Sequence, residues 1–155
     1  MFDGNNIKTL RKILKDNKNI AVVGLSAKWH RPSYFAAKYM QENGYRIIPV
    51  NPAYSEVLGE KCYPSLEAVK ERIDIVDCFR KSEDIDALVP MAISANAKVF
   101  WMQLGVQNKL AAKKITDAGM DCVQNRCVKI EHARIFGGLN WIGVNTKIIS
   151  AKRLV

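Results

Sequence analysis

The stretch Asn19-Ile20-Ala21-Val22-Val23-Gly24 is a continuous apolar run that ends in a glycine. A run of this kind lacks the polar alternation of a strand with one wet face, so it is typical of a strand buried on both faces in a parallel sheet. Before it, residues 6–16 place apolar side chains at helical spacing. The stretch therefore predicts the first strand of an α/β domain, preceded by an amphipathic helix.

The alternation of apolar runs and helical segments continues along the chain. Four further strands are predicted, over residues 45–50, 74–79, 98–102 and 120–123. Helices are predicted between the strands, over residues 33–43, 66–71, 83–95 and 108–118. Short strands that alternate with helices imply parallel βαβ units with right-handed crossovers. We therefore expect a single Rossmann-like, doubly wound α/β domain over residues 1–155, built on a mainly parallel five-stranded sheet.

Local signals refine the ends of these elements. Ser33, Ser65 and Ser82 stand where the N-cap residues of three of the helices are expected. Pro49 lies inside the second predicted strand. Because proline has no N–H to donate, we expect either this strand at an edge of the sheet or the proline in the last turn of the strand.

The composition indicates a cytoplasmic protein of one domain with free thiols. Its 155 residues fit the usual size of a single domain. No apolar run approaches the roughly 20 residues of a membrane span, and the first residues lack the order of a secretory signal. Four cysteines form no C-x-x-C pair and only two histidines are present, so no metal site is expected.

The formal net charge of +9 raises the question of a polyanionic partner. The basic tail, residues 133–155, contains no acid and shows no clear secondary structure. No basic stripe with interleaved aromatic residues favours nucleic acid, so we interpret most of the charge as a solvated surface. Trp141 and its apolar neighbours in the tail are expected either to pack on the core or to form a dimer contact.

The loop after the first strand is the strongest candidate site, because ligands of an open parallel sheet bind beyond the carboxyl ends of its strands. Gly24 allows a sharp turn and a close approach of a phosphate, and Ser26 offers a hydroxyl. Lys28 and Arg31 bring positive charge to the same loop, and the helix that begins near Ser33 offers free backbone N–H groups. The loop predicts an anion site. Its G-x-S pattern is less specific than G-x-G-x-x-G, so an ordinary strand-to-helix turn is the alternative.

The loop after the second strand bears on the choice of ligand. A dinucleotide site of the NAD type needs Asp or Glu at this position, to hold the ribose 2′-hydroxyl. Here Asn51 and Pro52 occupy it, and the next carboxylate is Glu56. A ligand whose ribose carries a phosphate suits the basic side chains of the first loop and Arg80 better.

Several short motifs, in this order and spacing, resemble one family: the bacterial CoA-binding domain proteins. These are similar to the nucleotide-binding domain in the α subunit of succinyl-CoA synthetase. The resemblance extends from about residue 18 to residue 132. The motifs that carry it are Ala21-Val22-Val23-Gly24-Leu25-Ser26, Arg31-Pro32-Ser33, Val50-Asn51-Pro52, Gly59-Glu60-Lys61-Cys62-Tyr63-Pro64-Ser65-Leu66, Asp74-Ile75-Val76-Asp77-Cys78-Phe79-Arg80 and Trp101-Met102-Gln103-Leu104-Gly105.

The resemblance implies which residues meet the cofactor, coenzyme A or an acyl-CoA. The residues that match the family's first loop, around the CoA phosphates, are Gly24, Leu25, Ser26, Arg31, Pro32 and Ser33. The remaining matches are Asn51 and Pro52 near the adenosine end, Phe79 and Arg80 in the turn after the third strand, and Met102 and Gln103 along the pantetheine path.

Catalysis needs a nucleophile with a partnered base, or two titratable groups in one cleft. Cys62 and Cys78 have no histidine at an informative spacing, and His132 is expected to be a structural or surface residue. We therefore expect a binding protein for CoA or acyl-CoA without catalytic machinery of its own. Three alternatives stay open: a subunit of an acyl-CoA ligase or transferase completed by a partner enzyme, an NAD(P)-binding redox sensor, and a nucleic-acid binder.

Overall fold

A computed structural model describes residues 6–137 of the chain, and five parallel strands form its central sheet. The chain also forms a short antiparallel hairpin beside the sheet. In chain order the strands are β1 Asn19–Val23, β2 Arg46–Val50, β3 Glu56–Val57, β4 Glu60–Lys61, β5 Ile75–Cys78, β6 Val99–Met102 and β7 Asp121–Val123. The order in the main sheet is β2-β1-β5-β6-β7, with every neighbouring pair parallel. The predicted five-stranded parallel sheet is confirmed.

Helices cover both faces of the sheet, which is the doubly wound arrangement predicted. They are α1 Ile7–Asp16, α2 Pro32–Glu42, α3 Ile85–Ser94, α4 Lys109–Asp117 and α5 Val128–Ile135. Apolar residues of α3 and α4 pack on one face, and those of α1, α2 and α5 on the other. Strands β1, β5 and β6 are almost wholly buried, as their continuous apolar runs require. No helix within residues 6–137 is long and apolar enough to cross a bilayer.

Strand β2 lies at the edge of the sheet, one of the two alternatives that Pro49 predicted. Its outer side is partly covered by the chain that leaves the β3–β4 hairpin. The Tyr63 N–H donates to the Pro49 carbonyl at 2.9 Å, and the Asn51 N–H donates to the Tyr63 carbonyl at 2.9 Å. This contact uses the carbonyl of proline and needs no N–H from it, so it is compatible with the residue at that position.

Two of the predicted N-caps are wrong because tertiary contacts use the serines. Helix α2 begins at Pro32 with Arg31 as N-cap, and Ser33 is buried, where its hydroxyl accepts the Ser26 N–H at 3.0 Å. Proline at the first helical position needs no hydrogen-bond partner, which favours this start. Helix α3 begins later than expected, after a 3₁₀ turn over Ser82–Asp84, and the Ser82 hydroxyl accepts the Gln107 N–H at 3.1 Å.

The predicted helix over residues 66–71 is wrong: a single 3₁₀ turn, Leu66–Ala68, replaces it, and the side chain of Ser65 makes no capping hydrogen bond. Val69 already has extended backbone angles. Two residues on, the Glu71 carboxylate accepts hydrogen bonds from the Arg46 guanidinium at 2.9 and 3.0 Å. This bidentate bond to β2 favours an extended chain over a further helical turn.

Helix α5 and the β3–β4 hairpin were not predicted. The hairpin strands have two residues each, too few to show a period. In α5 the buried face includes Glu131 and His132, so the polar residues hide the amphipathic pattern. The start of the basic tail thus belongs to a helix that ends at Ile135. The rest of that tail, including Trp141, lies outside the described residues.

Candidate functional site

The order of the sheet reverses direction at β1, since β2 lies on one side of it and β5 on the other. The loops that leave these strands therefore diverge and open a crevice at the carboxyl edge of the sheet, where ligands of such folds bind. Gly24 follows β1 and therefore lies at this crevice. It has φ +88°, and a Cβ at this position would lie 2.7 Å from the Phe79 carbonyl oxygen. The approach of the chain after β5 thus requires a glycine here.

Hydrogen bonds to two serine hydroxyls stabilise the loop between β1 and α2. The Ser26 N–H donates to the Ser33 hydroxyl at 3.0 Å, and the Lys28 N–H donates to the Ser26 hydroxyl at 3.0 Å. The Arg31 N–H donates to the Lys28 carbonyl at 3.0 Å. Three backbone amides are therefore occupied within the loop. The positive character of the loop comes mainly from side chains, and both hydroxyls keep an O–H that can donate outward.

A cavity of about 360 Å³, which we call the basic cavity, lies beside this loop. Its lining residues are Gly24, Ser26, Lys28, Arg31, Pro32, Ser33, Asn51, Tyr54 and Phe79. Among residues 6–137, this lining contains two cations and no carboxylate. Within residues 6–137, neither Lys28 nor Arg31 forms an ion pair. The cavity therefore carries an uncompensated positive charge and suits an anion.

A second cavity, of about 350 Å³, lies on the other side of Gly24, which lines both; we call it the apolar cavity. Its lining residues are Val23, Gly24, Val50, Pro52, Pro64, Ser65, Leu66, Arg80, Glu83, Asp84, Ala87, Leu88 and Met91. The Arg80 side chain lies against Gly24 and forms an ion pair with Asp84, Nη2 to Oδ2 at 3.3 Å. The apolar walls suit an uncharged or ring-shaped group, with one cation at the boundary.

The side chain of Asn51 joins the loops that leave β1 and β2. Its Nδ2 donates to the Leu25 carbonyl at 3.0 Å, and its Oδ1 accepts the Ala53 N–H at 2.9 Å. Both ends of the amide are therefore occupied inside the protein. Leu25 itself is fully buried, so its part in the site is to supply this carbonyl and fix the loop.

The structure brings ten of the sequence-predicted site residues to the two cavities. Eight of them line the basic cavity, while Pro52 and Arg80 line the apolar one. Met102 is fully buried in the core, and Gln103 is buried and linked to Asp77 and to the Val128 N–H. Neither lines either cavity. Sequence reasoning did not select Tyr54, whose aromatic character two residues after Pro52 was the available signal.

Asp77 is a buried carboxyl group in the central strand β5. It accepts a hydrogen bond from the Gln103 side chain, whose oxygen in turn accepts the Val128 N–H at 3.3 Å. Burial raises the pKa of Asp77 to about 7, although the bond from Gln103 lowers it. Gln103 therefore ties β5 to the start of α5, and Asp77 is not exposed to either cavity.

The other titratable candidates are packed into the fold. His132 is buried, its Nδ1 lies 2.9 Å from the Tyr39 hydroxyl, and burial lowers its pKa, so it is structural, as expected. Burial also raises the pKa of the thiols of Cys62, Cys78, Cys122 and Cys127. Over residues 6–137, no group of three or more His, Cys, Asp or Glu side chains is placed to hold a metal ion.

The fold and the crevice define the class: a parallel α/β protein with two cations at the carboxyl edge of its sheet, the edge at which such folds hold nucleotide cofactors. The family model for the CoA binding domain matches residues 18–133, so the chain belongs to this family.

Known proteins of several kinds are similar to this chain. The uncharacterized protein YneT of Bacillus subtilis is 40% identical over 124 residues, which are 80% of this chain and 92% of YneT. The structure of a hypothetical protein from Pyrococcus horikoshii has a TM-score of 0.84 and 43% identity, covering 88% of this chain and 96% of that one. An ADP-forming acetate–CoA ligase of Methanocaldococcus jannaschii is 33% identical over 64 residues, 41% of this chain but 9% of the ligase.

Proposed function

We propose that this protein binds coenzyme A or an acyl-CoA at the carboxyl edge of its sheet, as a binding protein of the cytoplasm without catalytic groups of its own. The observation that carries the proposal is the basic cavity, whose two cations form no ion pair with any acid within residues 6–137. Membership of the CoA-binding domain family supports the same ligand. The cation pair would hold the diphosphate, because charge-assisted hydrogen bonds to phosphate are the strongest that side chains make.

The apolar cavity extends the site beyond the phosphates. The two cavities meet at Gly24, so one ligand can occupy both. We assign the diphosphate to the basic cavity and the adenosine to the apolar cavity, between Pro52 and the start of α3. Arg80, at the boundary, is then placed to meet the phosphate on the ribose. Leu25, Met102 and Gln103 support the site from the core in this proposal and do not contact the ligand.

The hydrogen bonds of Asn51 favour CoA over NAD. A ribose 2′-hydroxyl in an NAD site donates to a carboxylate at the end of the second strand. Here the Asn51 oxygen is already used by the Ala53 N–H, and the residue carries no charge. A redox sensor that binds NAD would lack this anchor, so we expect weak or no binding of NAD.

Isothermal titration of the purified protein with CoA tests the proposal, with NAD titrated in parallel. Arg31→Ala should weaken CoA binding at least tenfold, since a hydrogen bond to a charged group contributes about 1.5–3 kcal/mol. Arg11→Ala is the matched control, because Arg11 is an exposed cation on α1 that lines neither cavity. No heat with millimolar CoA, or equal losses in the two variants, would reject the proposed site.

A second function, as one subunit of an acyl-CoA ligase, has the similarity to the acetate–CoA ligase in its favour. That similarity covers 64 residues of a much longer enzyme, so a partner would have to supply the rest of the reaction. Incubation with acetate, ATP, CoA and a lysate of the source cells should then yield acetyl-CoA that disappears when this protein is depleted. Unchanged acetyl-CoA formation would remove this function and leave simple binding.

A further inference from the structure

Asp84 is a charged residue of the crevice that the proposed function does not use. It stands at the N-cap of α3, yet its side chain makes no capping hydrogen bond. Its carboxylate instead pairs with Arg80 at 3.3 Å, on the wall of the apolar cavity. Glu83 lines the same wall. The Asp84 carboxylate is therefore paired with the Arg80 guanidinium, which lies at the boundary between the two cavities.

In the ion pair between Arg80 and Asp84, a phosphate can readily replace the carboxylate. The two side chains are 48% and 39% exposed, so water screens their attraction and the pair contributes little to stability. A phosphate carries more charge than a carboxylate and offers three acceptor oxygens, so it competes well for a guanidinium. A ligand without a phosphate at this position leaves the pair intact and gains nothing from Arg80.

We propose that Asp84 competes with the ligand for Arg80: it keeps the guanidinium neutralised until a ligand brings a phosphate on its ribose to displace it. The proposal rests on the proposed function, since it takes CoA as the ligand. In the unliganded protein, Asp84 lowers the attraction of the boundary for anions in general. In the complex, Arg80 turns from Asp84 to the ribose phosphate, and the cost of breaking the ion pair is part of the measured affinity.

The test compares CoA with dephospho-CoA, which lacks only the ribose phosphate, by isothermal titration. The quantity to compare is the affinity for CoA divided by the affinity for dephospho-CoA. This ratio is used because removing an acid strengthens the binding of any anion. Asp84→Asn should raise this ratio at least threefold over the wild type. Arg80→Ala should reduce the ratio to near one, and the double variant should equal Arg80→Ala.

Two further variants keep the result interpretable. Asp84→Ser retains a good N-cap residue for α3 and should raise the ratio like Asp84→Asn. Asp117→Asn removes the same charge from the end of α4, outside both cavities, and should leave the ratio unchanged. Melting temperatures of all variants confirm that they are folded.

The possible outcomes separate this inference from the proposed function. A wild-type protein that binds neither ligand contradicts the proposed function itself. A wild-type protein that binds both ligands, with a ratio that falls or stays constant in Asp84→Asn, overturns only the proposed competition of Asp84 for Arg80. A fall in particular would mean that Asp84 orients Arg80 toward the ligand instead of competing for it.

Discussion

Asp77 should make the protein less stable as the pH rises toward neutrality, and Asp77→Asn should remove that effect. The carboxyl group is buried in β5, and burial raises its pKa from 3.8 to about 7. An unfolded chain loses this proton near pH 4, whereas the native protein keeps it until about pH 7. Between these values the native state binds more protons, so its stability falls with rising pH.

The magnitude follows from the size of the shift. One pKa unit corresponds to 1.36 kcal/mol, so a shift of about three units corresponds to roughly 4 kcal/mol between pH 4 and pH 8. Asparagine has the shape of the neutral acid, and its oxygen can still accept the hydrogen bond from Gln103. The free energy of unfolding of Asp77→Asn, relative to the wild type, should therefore rise by roughly 4 kcal/mol over this range.

Urea unfolding at pH 4.5, 6 and 8, followed by circular dichroism, measures this difference. Other groups titrate alike in both proteins, so only the difference between their pH profiles counts. Asp117→Asn is the matched control: its carboxylate is exposed and paired with Lys113, and its profile should stay within about 0.5 kcal/mol of the wild type. Parallel profiles for Asp77→Asn and the wild type would refute the idea that a buried acid remains protonated near pH 7.

Two further predictions concern the loop after β1. Gly24→Ala and Gly119→Ala share a positive φ, which costs about 1 kcal/mol in each, but only Gly24 faces the Phe79 carbonyl oxygen at 2.7 Å. Chemical unfolding should show a further loss of about 1–3 kcal/mol for Gly24→Ala, and equal losses would mean that the contact is not tight. Trp29 is 70% exposed in this loop, whereas Trp101 is fully buried, so CoA should change the fluorescence of Trp29. Measured in a Trp141→Phe background, Trp29→Phe should abolish the change; a change that persists would place the ligand elsewhere.

The sheet was predictable because burial on both faces leaves its mark in the sequence itself. The apolar run 19–23 is buried along almost its whole length, and its strand ends within one residue of the predicted end. The ends of the helices were less predictable, because Ser33 and Ser82 bond to distant backbone amides instead of capping. Those amides come close to the serines only in the folded chain, so no local sequence pattern predicts these hydrogen bonds.

The same contrast applies to polar residues that are buried. Glu131 is buried in α5 because Arg126 and Arg134 pair with it, and His132 because Tyr39 meets its ring nitrogen. A period-based analysis counts both residues as polar and therefore finds no buried face. Only the folded chain shows which partners neutralise or hydrogen-bond a buried polar group. Helix α5 therefore could not be predicted from the sequence and was found only in the structure.

The candidate site was predictable in its position but not in its charge pairing. Parallel strands place all their carboxyl ends at one edge, so the loops after β1, β2 and β5 had to meet there. The sequence could not show that Arg80 is paired with Asp84 while Lys28 and Arg31 have no paired acid among residues 6–137. That difference separates a cation that is free to receive a phosphate from one that must first give up a carboxylate.

Gly24 illustrates why the charge pairing is the stronger evidence for function. A glycine after the first strand is usually interpreted as room for a phosphate. Here the Phe79 carbonyl would exclude a Cβ even without any ligand, so the fold alone explains the glycine. Packing offers no such reason for Lys28 and Arg31, which are exposed, unpaired within the described chain and close to one cavity. Two like charges held together without an acid raise the energy of the free protein, and a bound anion relieves that repulsion.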